Sequence, residues 1–468
     1  MSERHLMKTV AAAAVLAMLG ACASMAPTYE RPAAPVAAAY PAVGASAPAA
    51  GTTPATGIAW QSYFADARLK QLIEIALKNN RDLRVAVLNI EQARATYGVR
   101  RADRLPTVNA GMTAQRQNSG VESLYTVGLQ VSAYELDLFG RVRSLSDAAL
   151  AQYFGTEEAR KSVQMSLIAS VANAYYTLLA DDLLLKVTQQ TLETREESFK
   201  LTKLKFEGGA ASELDFRQGE SLLESARVSL AQQTRQRALD ENALVLLLGQ
   251  GIPDGLPAGL ELTGQGLVAD LPAGVPSEVL AQRPDVRQAE QALIAANANI
   301  GAARAAFFPR ISLTASAGTA STELSGLFKS GSGAWSFTPT IVLPIFDAGR
   351  NKANLDVAKV NREIAVAQYE KSVQTAFREV ADALAGRATL DEQARAQAAV
   401  TRAEETRFKL ADLRYRNGAA SYLDVLDAQR SLFTAQQAVV QVQAAQVQNL
   451  VTLYKALGGG WTEPAEAK

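Results

Sequence analysis

A seven-residue stretch occurs twice in this 468-residue chain. GAASELD at 209–215 returns as GAASYLD at 418–424 with one substitution. Farther away, GVRRADRLP at 98–106 matches GAARAAFFP at 301–309, with Gly, Arg, Ala and Pro in register. Self-similarity at a period of about 200 residues indicates tandem duplication of one structural unit. The predicted organisation is a first repeat at 61–265, a second at 266–460 and a C-terminal tail at 461–468.

Each repeat contains one very long segment that lacks helix breakers. Residues 143–206 and 351–416 contain no proline and one glycine each. Because a helix rises 1.5 Å per residue, each segment predicts a helix of roughly 95–100 Å, longer than a globular core requires. After the second GAAS stretch, apolar pairs recur every seven residues, which predicts left-handed coiled-coil packing. These pairs include Val425/Leu426, Leu432/Phe433 and Val439/Val440.

Apolar and polar residues alternate between the shorter and the longer predicted helix of each repeat. The alternation predicts two β-hairpins, at 107–138 and 310–345, with strands of about 9 to 11 residues. In the second strand it assigns Leu129 to the apolar face, and Gln130 and Tyr134 to the polar face. Strands of this length suit a membrane, although a soluble sheet with one hydrated face has the same pattern.

Four strands are too few to close a barrel. An open sheet edge in lipid leaves backbone groups unpaired, so strands from several chains would have to combine. Two chains would give eight strands and a filled interior, whereas three would give twelve strands around a lumen. A channel therefore favours a homotrimer. The predicted fold class is a membrane α+β protein, a trimeric twelve-stranded β-barrel that continues into a long periplasmic α-helical barrel of coiled-coil helices.

The N-terminus predicts export and a lipid anchor. A basic start is followed by a short apolar run and then by LGAC, which ends at Cys22. This pattern indicates a lipoprotein signal peptide at 1–21, cleaved before Cys22, which then carries a covalent lipid. An ordinary secretory signal with a chance cysteine is the alternative. Ala23 in place of aspartate favours the outer membrane, and residues 22–60, rich in Ala and Pro, predict a tether.

Composition narrows the function further. Cys22 is the only cysteine, and the only histidine, His5, lies in the predicted signal peptide. Thiol and imidazole catalysis and His or Cys metal sites are therefore excluded for the mature chain, and we predict neither an enzyme nor a cofactor besides the lipid. The formal net charge of zero gives no reason to expect nucleic acid as a partner.

The repeated stretch itself has the features of a tight helix–turn–helix. Gly209 and Gly418 can end a helix in the left-handed conformation, and a serine three residues later can cap the next helix. Small residues there leave backbone accessible to a partner, so we predict two tip turns, at 208–212 and 417–421. The predicted contact residues are Gly209, Ala210, Ala211, Ser212, Leu214, Asp215, Gly418, Ala419, Ala420 and Ser421.

Longer motifs extend across nearly the whole mature chain. Among them are AYELDLFGRVRS (133–144), LAQRPDVRQAE (280–290), LPIFDAGR (343–350) and RYRNGAASYLDVLDAQRSLFTAQQ (414–437). Together they resemble the motifs of TolC-type outer-membrane factors, in particular the lipid-anchored OprM-like branch that serves resistance-nodulation-division efflux pumps. The resemblance implies a homotrimeric exit duct in the outer membrane. Its periplasmic tips would dock an adaptor protein that is linked to an inner-membrane transporter.

The resemblance also implies a gate after the second turn. Asp424 and Asp427 would be the gate carboxylates, Leu423 a hydrophobic constriction and Arg430 a partner in the closed state. Asp424 can equally be a helix cap only, whereas Gln218 stands in place of Asp427 in the first repeat. Alternative functions are a duct for metal efflux or protein secretion, or a periplasmic coiled-coil adaptor or scaffold lipoprotein.

Overall fold

The structure is a computed structural model that describes residues 24–41, 55–116, 123–267, 271 and 280–461. The predicted signal peptide and Cys22 lie outside the described residues, as does the predicted tail after Trp461. Both halves of the chain contain the same order of elements, namely helix, two strands, long helix and shorter helix. In chain order they are α1 (Trp60–Tyr63), α2 (Ala67–Asn79), α3 (Arg81–Ala102), β1 (Val108–Gln115), β2 (Leu124–Leu136), α4 (Arg141–Glu207), α5 (Glu213–Leu248), α6 (Pro284–Ala305), β3 (Arg310–Ser321), β4 (Gly333–Val342), α7 (Arg350–Arg416) and α8 (Tyr422–Ala456).

The two longest helices, α4 and α7, have 67 residues each and cover the two segments that lack helix breakers. An aspartate precedes each of them. The Asp137 carboxylate accepts hydrogen bonds from the amides of Val142 (3.0 Å) and Arg143 (2.7 Å), and Asp347 accepts one from the Asn351 amide (2.8 Å). A carboxylate there satisfies free amides and favours the helix dipole. Within the described part of the chain, no helix combines the length and apolar character needed to cross a membrane.

The four strands form one antiparallel sheet in the order β1-β2-β3-β4. β2 pairs with β3, which joins the two predicted hairpins into a single sheet. Cross-strand partners share a face, so Leu129, Ala317 and Trp335 form an apolar row, whereas Gln130 and Ser316 form a polar one. β1 and β4 are the edge strands, and among the described residues their outer edges have no partner strand.

The predicted place of Tyr134 on the polar face is wrong. The pairing shifts between Val131 and Tyr134, where two residues of β2 lie opposite one residue of β3. In this bulge Ala133 has a φ of 51°, and its amide donates to Thr314 Oγ1 at 3.3 Å. The extra residue moves the rest of β2 by one position. Tyr134 therefore shares the face of Val131, and Glu135 takes its place on the polar face.

The chain divides into two compact units, and the first holds the sheet with parts of α3, α4, α6 and α7. In its helical part, Ala148 and Ala151 of α4 pack with Ala295 and Ala298 of α6, and Ile294 lies beside them. Small side chains at these positions let the two helices approach closely, because interaxial distance depends on the side chains at the contact. The described residues of this unit are 24–33, 88–116, 123–158 and 287–372.

The start of the described chain lies against α6 in this first unit, although the sequence predicts a tether. Glu290 of α6 accepts hydrogen bonds from the Tyr29 hydroxyl (2.9 Å) and from Arg31 Nε (2.7 Å) and Nη2 (2.9 Å). Farther along α6, Gly301 makes room for the segment, since a Cβ there would lie 2.6 Å from the Ala26 nitrogen. The residues that follow the predicted lipid anchor are thus held along a helix.

The second unit has the larger core, where α1 and α2 meet α4, α5 and α8. Tyr63 stacks on Tyr454 with ring centroids 4.0 Å apart, and its hydroxyl donates to the Leu450 carbonyl at 2.8 Å. Asp66 caps α2 and accepts a hydrogen bond from the Tyr175 hydroxyl at 2.8 Å. The Tyr63 hydroxyl and the Asp66 carboxylate are therefore both paired where they are buried. The unit comprises the remaining described residues, and both GAAS turns belong to it.

Candidate functional site

The first GAAS turn ends α4 in a left-handed residue. Gly209 has a φ of 76°, and its amide donates to the Phe206 carbonyl at 3.0 Å. The amide of Ala210 donates to the Lys205 carbonyl at 2.7 Å. This pair of bonds is a Schellman motif, which satisfies carbonyls that the helix end would otherwise leave free.

The second GAAS turn repeats this geometry at the end of α7. Gly418 has a φ of 72°, and its amide donates to the Tyr415 carbonyl at 3.0 Å. The amide of Ala419 donates to the Arg414 carbonyl at 2.8 Å. A glycine at each position is required by the positive φ, because a side chain there would be strained.

Each turn leads into a helix that begins with a capping box. In the first, the Asp215 amide donates to Ser212 Oγ (3.1 Å), and the Ser212 amide donates to Asp215 Oδ2 (3.4 Å). In the second, the Asp424 amide donates to Ser421 Oγ (3.3 Å), and the Ser421 amide donates to Asp424 Oδ2 (3.1 Å). The Asp424 carboxylate therefore takes part in the cap of its own helix. Its gate function stays a prediction.

The residues after the two caps differ in burial. Leu214 is 67% exposed and Leu423 is 54% exposed, so both leucines are open to contact with another molecule. By contrast, Tyr422, Val425 and Leu426 of α8 are buried in a small apolar cluster with Phe408, Ala411 and Tyr415 of α7 and Leu222 of α5. The first turn of α8 is thus packed on one side and open on the side of Leu423.

Sequence reasoning missed the contact that joins the start of α8 to α4 and α5. The Tyr422 hydroxyl lies 3.3 Å from Ser198 Oγ of α4. It also lies beside Gly219 of α5, where a Cβ would be 3.1 Å from that hydroxyl and 3.2 Å from Phe199 Cδ2. Gly219 is the only glycine in α5, and that isolated glycine is the signal that predicts a close approach.

A second contact missed from sequence connects the ends of the two long helices. The Lys205 ammonium of α4 lies 4.1 Å from the ring centroid of Tyr415 in α7. A cation at this distance is attracted to the face of an aromatic ring. The two turns therefore lie side by side within this unit, and both of their predicted contact sets are at the same end of the helices.

Asp427 of α8 pairs with an arginine of the neighbouring helix α7. Its carboxylate accepts a short hydrogen bond from Arg407 Nη2 of α7, and Arg407 also bonds Glu404 at 3.2 Å. These bonds, to Asp427 first and then to Glu404, raise the pKa of the Arg407 guanidinium. Arg430, the predicted partner of the gate carboxylates, is exposed and forms no ion pair with any described residue. Within one chain, the structure thus brings Asp427 to Arg407.

Comparisons with known proteins match the chain along almost its whole length. The family model described as outer membrane efflux protein matches residues 72–250 and again residues 275–459. The chain is 50% identical over 461 residues to the antibiotic efflux pump outer membrane protein ArpC of Pseudomonas putida, covering 95% of this chain and 94% of that one. Toluene efflux pump outer membrane protein TtgC of Pseudomonas putida is similar to the same extent.

A solved structure has a similar fold. The outer membrane channel MtrE of Neisseria gonorrhoeae, in its open state, superimposes with a TM-score of 0.85 at 46% sequence identity. The match covers 94% of this chain and 99% of that one. At this identity and coverage, the similarity extends over almost the whole of both chains.

Proposed function

The chain belongs to the outer membrane efflux protein family, and from that premise we propose that it is the exit duct of a tripartite efflux pump. It lies in the outer membrane of a Gram-negative bacterium and conducts small molecules passively. The observation that carries this proposal is the near full-length similarity to outer-membrane efflux proteins, together with a sheet whose two edges have no partner strand among the described residues. Transport of this kind requires no catalytic group in the chain.

The working assembly is a homotrimer with a twelve-stranded barrel. Each chain supplies four strands, and the free edges of β1 and β4 supply the surfaces through which neighbouring chains would pair. In lipid those edges have to be paired, because unpaired backbone groups are costly there. The two successive matches to one family model, with the repeated order of elements, support tandem duplication.

The partners are a periplasmic adaptor protein and an inner-membrane transporter of the resistance-nodulation-division class. Support comes from the names of relatives as components of efflux pumps. The adaptor would contact the two tip turns, where exposed Leu214 and small residues leave the backbone accessible. A covalent lipid on Cys22 would anchor the chain, and the segment held along α6 would join that lipid to the first unit.

Opening would take place at the second turn. In a trimer, Asp424 and Asp427 would each form a ring of three carboxylates near the axis, and Leu423 would narrow the same level. Rings of carboxylates favour cations and repel each other unless they are paired. The Arg407 pair gives Asp427 such a partner in each chain, and Arg430 is free to pair across chains.

Single-channel conductance in a planar bilayer tests this proposal. We expect the purified protein to conduct in small, cation-preferring and mostly closed events. In the variant Asp424→Ala/Asp427→Ala we expect larger and longer openings, because the pairing of these carboxylates with arginine side chains is lost. The matched control is Asp215→Ala/Gln218→Ala, which removes the equivalent cap and side chain from the first turn.

The control separates capping from gating. If both double variants open alike, loss of a helix cap explains the effect, and Asp424 and Asp427 are not gate residues. If a folded trimer of the unaltered protein shows no conductance even with adaptor present, the duct itself is disproved.

A further inference from the structure

A polar pocket lies in the second unit, where α4, α7 and α8 meet above the tip turns. Its volume is about 200 Å³. Pockets for drug-sized molecules typically have about 300–1,000 Å³, so this pocket is too small for the compounds an efflux duct carries. We call it the Arg195 pocket. It is lined by Gln190, Thr191, Thr194, Arg195, Phe408, Gln429, Leu432, Phe433 and Gln436.

Arg195 is buried in this pocket without a carboxylate partner. Arg195 is 5% exposed, and it forms no ion pair with any residue that the structure describes. One nitrogen, Nη1, donates to the Leu222 carbonyl at 3.0 Å, and the guanidinium carbon lies 5.3 Å from the centroid of the Phe433 ring. Nε is buried and has no hydrogen-bond partner. Buried charges are ordinarily paired, because removing an unpaired ion from water is costly.

Arg195 nevertheless stays charged at neutral pH. Burial, followed by the positive charge of Arg430, lowers the pKa of its guanidinium to about 10. At pH 7 the pocket therefore contains a full positive charge with a second one near it. An anion in the pocket would be attracted to both.

A second polar side chain of the pocket, Gln429, is also incompletely hydrogen-bonded. Gln429 is 6% exposed, and its Oε1 has no hydrogen-bond partner. The amides of Gln190, Gln429 and Gln436 can rotate to present N–H groups to a bound oxygen, while their carbonyls accept from water. At the wall of one cavity, a buried guanidinium with an unpaired Nε and a buried amide with an unpaired Oε1 indicate a missing polar occupant.

We propose that the Arg195 pocket binds a small oxyanion, of the size of inorganic phosphate or acetate. The guanidinium would donate from Nε and its free Nη atom to two oxygens, the fork geometry that suits carboxylate and phosphate. The remaining volume would hold ordered water, whose share of volume is about 30 Å³ per molecule. An anion in the site would neutralise Arg195 and form hydrogen bonds to both α4 and α8. It would thereby connect the α4–α5 pair to the α7–α8 pair near the tip turns.

Equilibrium dialysis of the purified full-length trimer with radiolabelled inorganic phosphate tests this site. Ionic strength is held constant with chloride. We expect saturable binding of one phosphate per chain and competition by acetate. In Arg195→Gln the affinity should fall by about tenfold or more, because a charge-assisted hydrogen bond is lost.

Two further variants keep the test decisive if Arg195→Gln fails to fold. Gln436→Leu replaces a half-buried polar lining side chain by an apolar one of similar size, and should weaken phosphate binding several-fold. Arg402→Gln removes an exposed arginine from α7 outside the pocket, and should leave binding unchanged. The midpoint of thermal unfolding should rise with phosphate in the unaltered protein and in Arg402→Gln, and less in Gln436→Leu.

Absence of saturable phosphate binding to the unaltered protein would overturn the proposal. So would a loss of affinity in Arg402→Gln as large as the loss in Gln436→Leu. So would a structure of the trimer in which an aspartate or glutamate of a second copy occupies the pocket against Arg195. The measurement involves no conduction, so its failure would leave the proposed duct function unaffected.

Discussion

The first hairpin, made of α4 and α5, and the second, made of α7 and α8, share their turns but not their side-chain contacts. Both begin with a helix of 67 residues, reverse through a left-handed glycine and continue from a Ser–Asp capping box. After the cap, however, the first hairpin has Glu213, Phe216 and Gln218 where the second has Tyr422, Val425 and Asp427. The backbone geometry of the turn is the same in both copies, whereas the side chains that follow it differ and can have separate functions.

The middle of the two hairpins shows the same division. Asp182 of α4 pairs with Arg237 of α5 at 2.5 Å, and the equivalent positions of the second hairpin, Asp391 and Gln446, form a hydrogen bond of 2.6 Å. The contact is retained, but one of its two side chains is charged instead of both. Beside it, the first hairpin buries Asp181 near Asp240, where the second has Leu390 and Asn449. At these four positions the first hairpin therefore has four ionisable side chains, whereas the second hairpin has one.

The largest effect is expected at Tyr422, which is buried, whereas Glu213 at the equivalent position of the first hairpin is exposed. Tyr422→Ala removes a buried ring from the cluster with Val425 and Leu426, and should lower the free energy of local unfolding at the second turn by about 3 kcal/mol. Glu213→Ala, at the equivalent position of the first hairpin, should change the free energy of local unfolding at the first turn by less than about 0.5 kcal/mol. Amide hydrogen exchange of the first two turns of α5 and α8 measures both.

Equal loss of protection in the two variants would contradict this difference. It would mean that the packing seen at Tyr422 adds nothing to the stability that the capping boxes supply. Phe substituted for Tyr422 is the finer control, since it keeps the ring and removes only the hydroxyl that lies 3.3 Å from Ser198 Oγ.

These two regions also show what the sequence could predict. The turns follow from residues close in the chain, because Gly209 and Ser212 determine backbone geometry within one helical turn. The long helices follow from an absence of breakers, and α4 begins two residues before the predicted start. Contacts between distant segments do not follow in this way. Arg407 reaches Asp427 from 20 residues away, on another helix, and no local pattern identifies that pair.

The bulge in β2 could not be predicted from the sequence for a related reason. Ala133 is a small residue in an alternating strand, and nothing in its type predicts a φ of 51°. Its conformation depends on pairing with β3, which lies about 180 residues later in the chain. Among the described residues, Gly219 is a contrasting case, because an isolated glycine inside α5 does point to the close approach of Tyr422.

A pH dependence of stability is expected from Asp181 in the first hairpin. Burial, and then the neighbouring Asp240 carboxyl group, raise the pKa of Asp181 from 3.8 to about 7, while Gln233 Nε2 donates to Asp181 Oδ1 at 3.1 Å. The folded chain therefore holds a proton that the unfolded chain has lost between about pH 4 and pH 7. In that window this group makes the free energy of unfolding fall as pH rises, by at most about 1.4 kcal/mol per pH unit.

Asp181→Asn should remove that contribution, because the neutral amide no longer titrates. Unfolding midpoints measured from pH 4 to pH 8 test it against Asp391→Asn, the matched change in the second hairpin, which should keep the slope of the unaltered protein. A slope that survives Asp181→Asn would assign the titration to another group, and the first hairpin would not differ from the second in this respect.

The caps should behave alike in both hairpins. Ser212→Ala and Ser421→Ala each remove the hydroxyl that accepts from the third amide of the following helix, and each should cost about 1 kcal/mol of local stability. Hydrogen exchange at Asp215 and Asp424 reports the change. If one variant costs much more than the other, the two turns are not equivalent, and the asymmetry begins at the backbone rather than after it.

The smallest effect on stability is expected at the Arg407–Asp427 pair. Both side chains are about half exposed, at 47% and 58%, and exposed ion pairs contribute roughly 0–1 kcal/mol. Arg407→Gln should therefore leave the unfolding of the tip almost unchanged. It should still increase the fraction of time that the channel is open, because Asp427 would lose the partner that neutralises it within its own chain.

Salt provides an independent way to weaken the same pair. Raising ionic strength from 0.1 M to 1 M shortens the Debye length from about 10 Å to about 3 Å. The unaltered channel should then open more often, and Arg407→Gln should respond less, since its pair is already absent. Gln218→Ala, at the position equivalent to Asp427, should follow the unaltered protein throughout. If Arg407→Gln opens no more than Gln218→Ala, the pair is a surface contact without a part in gating, and the difference between the two turns lies in Tyr422 and its packing alone.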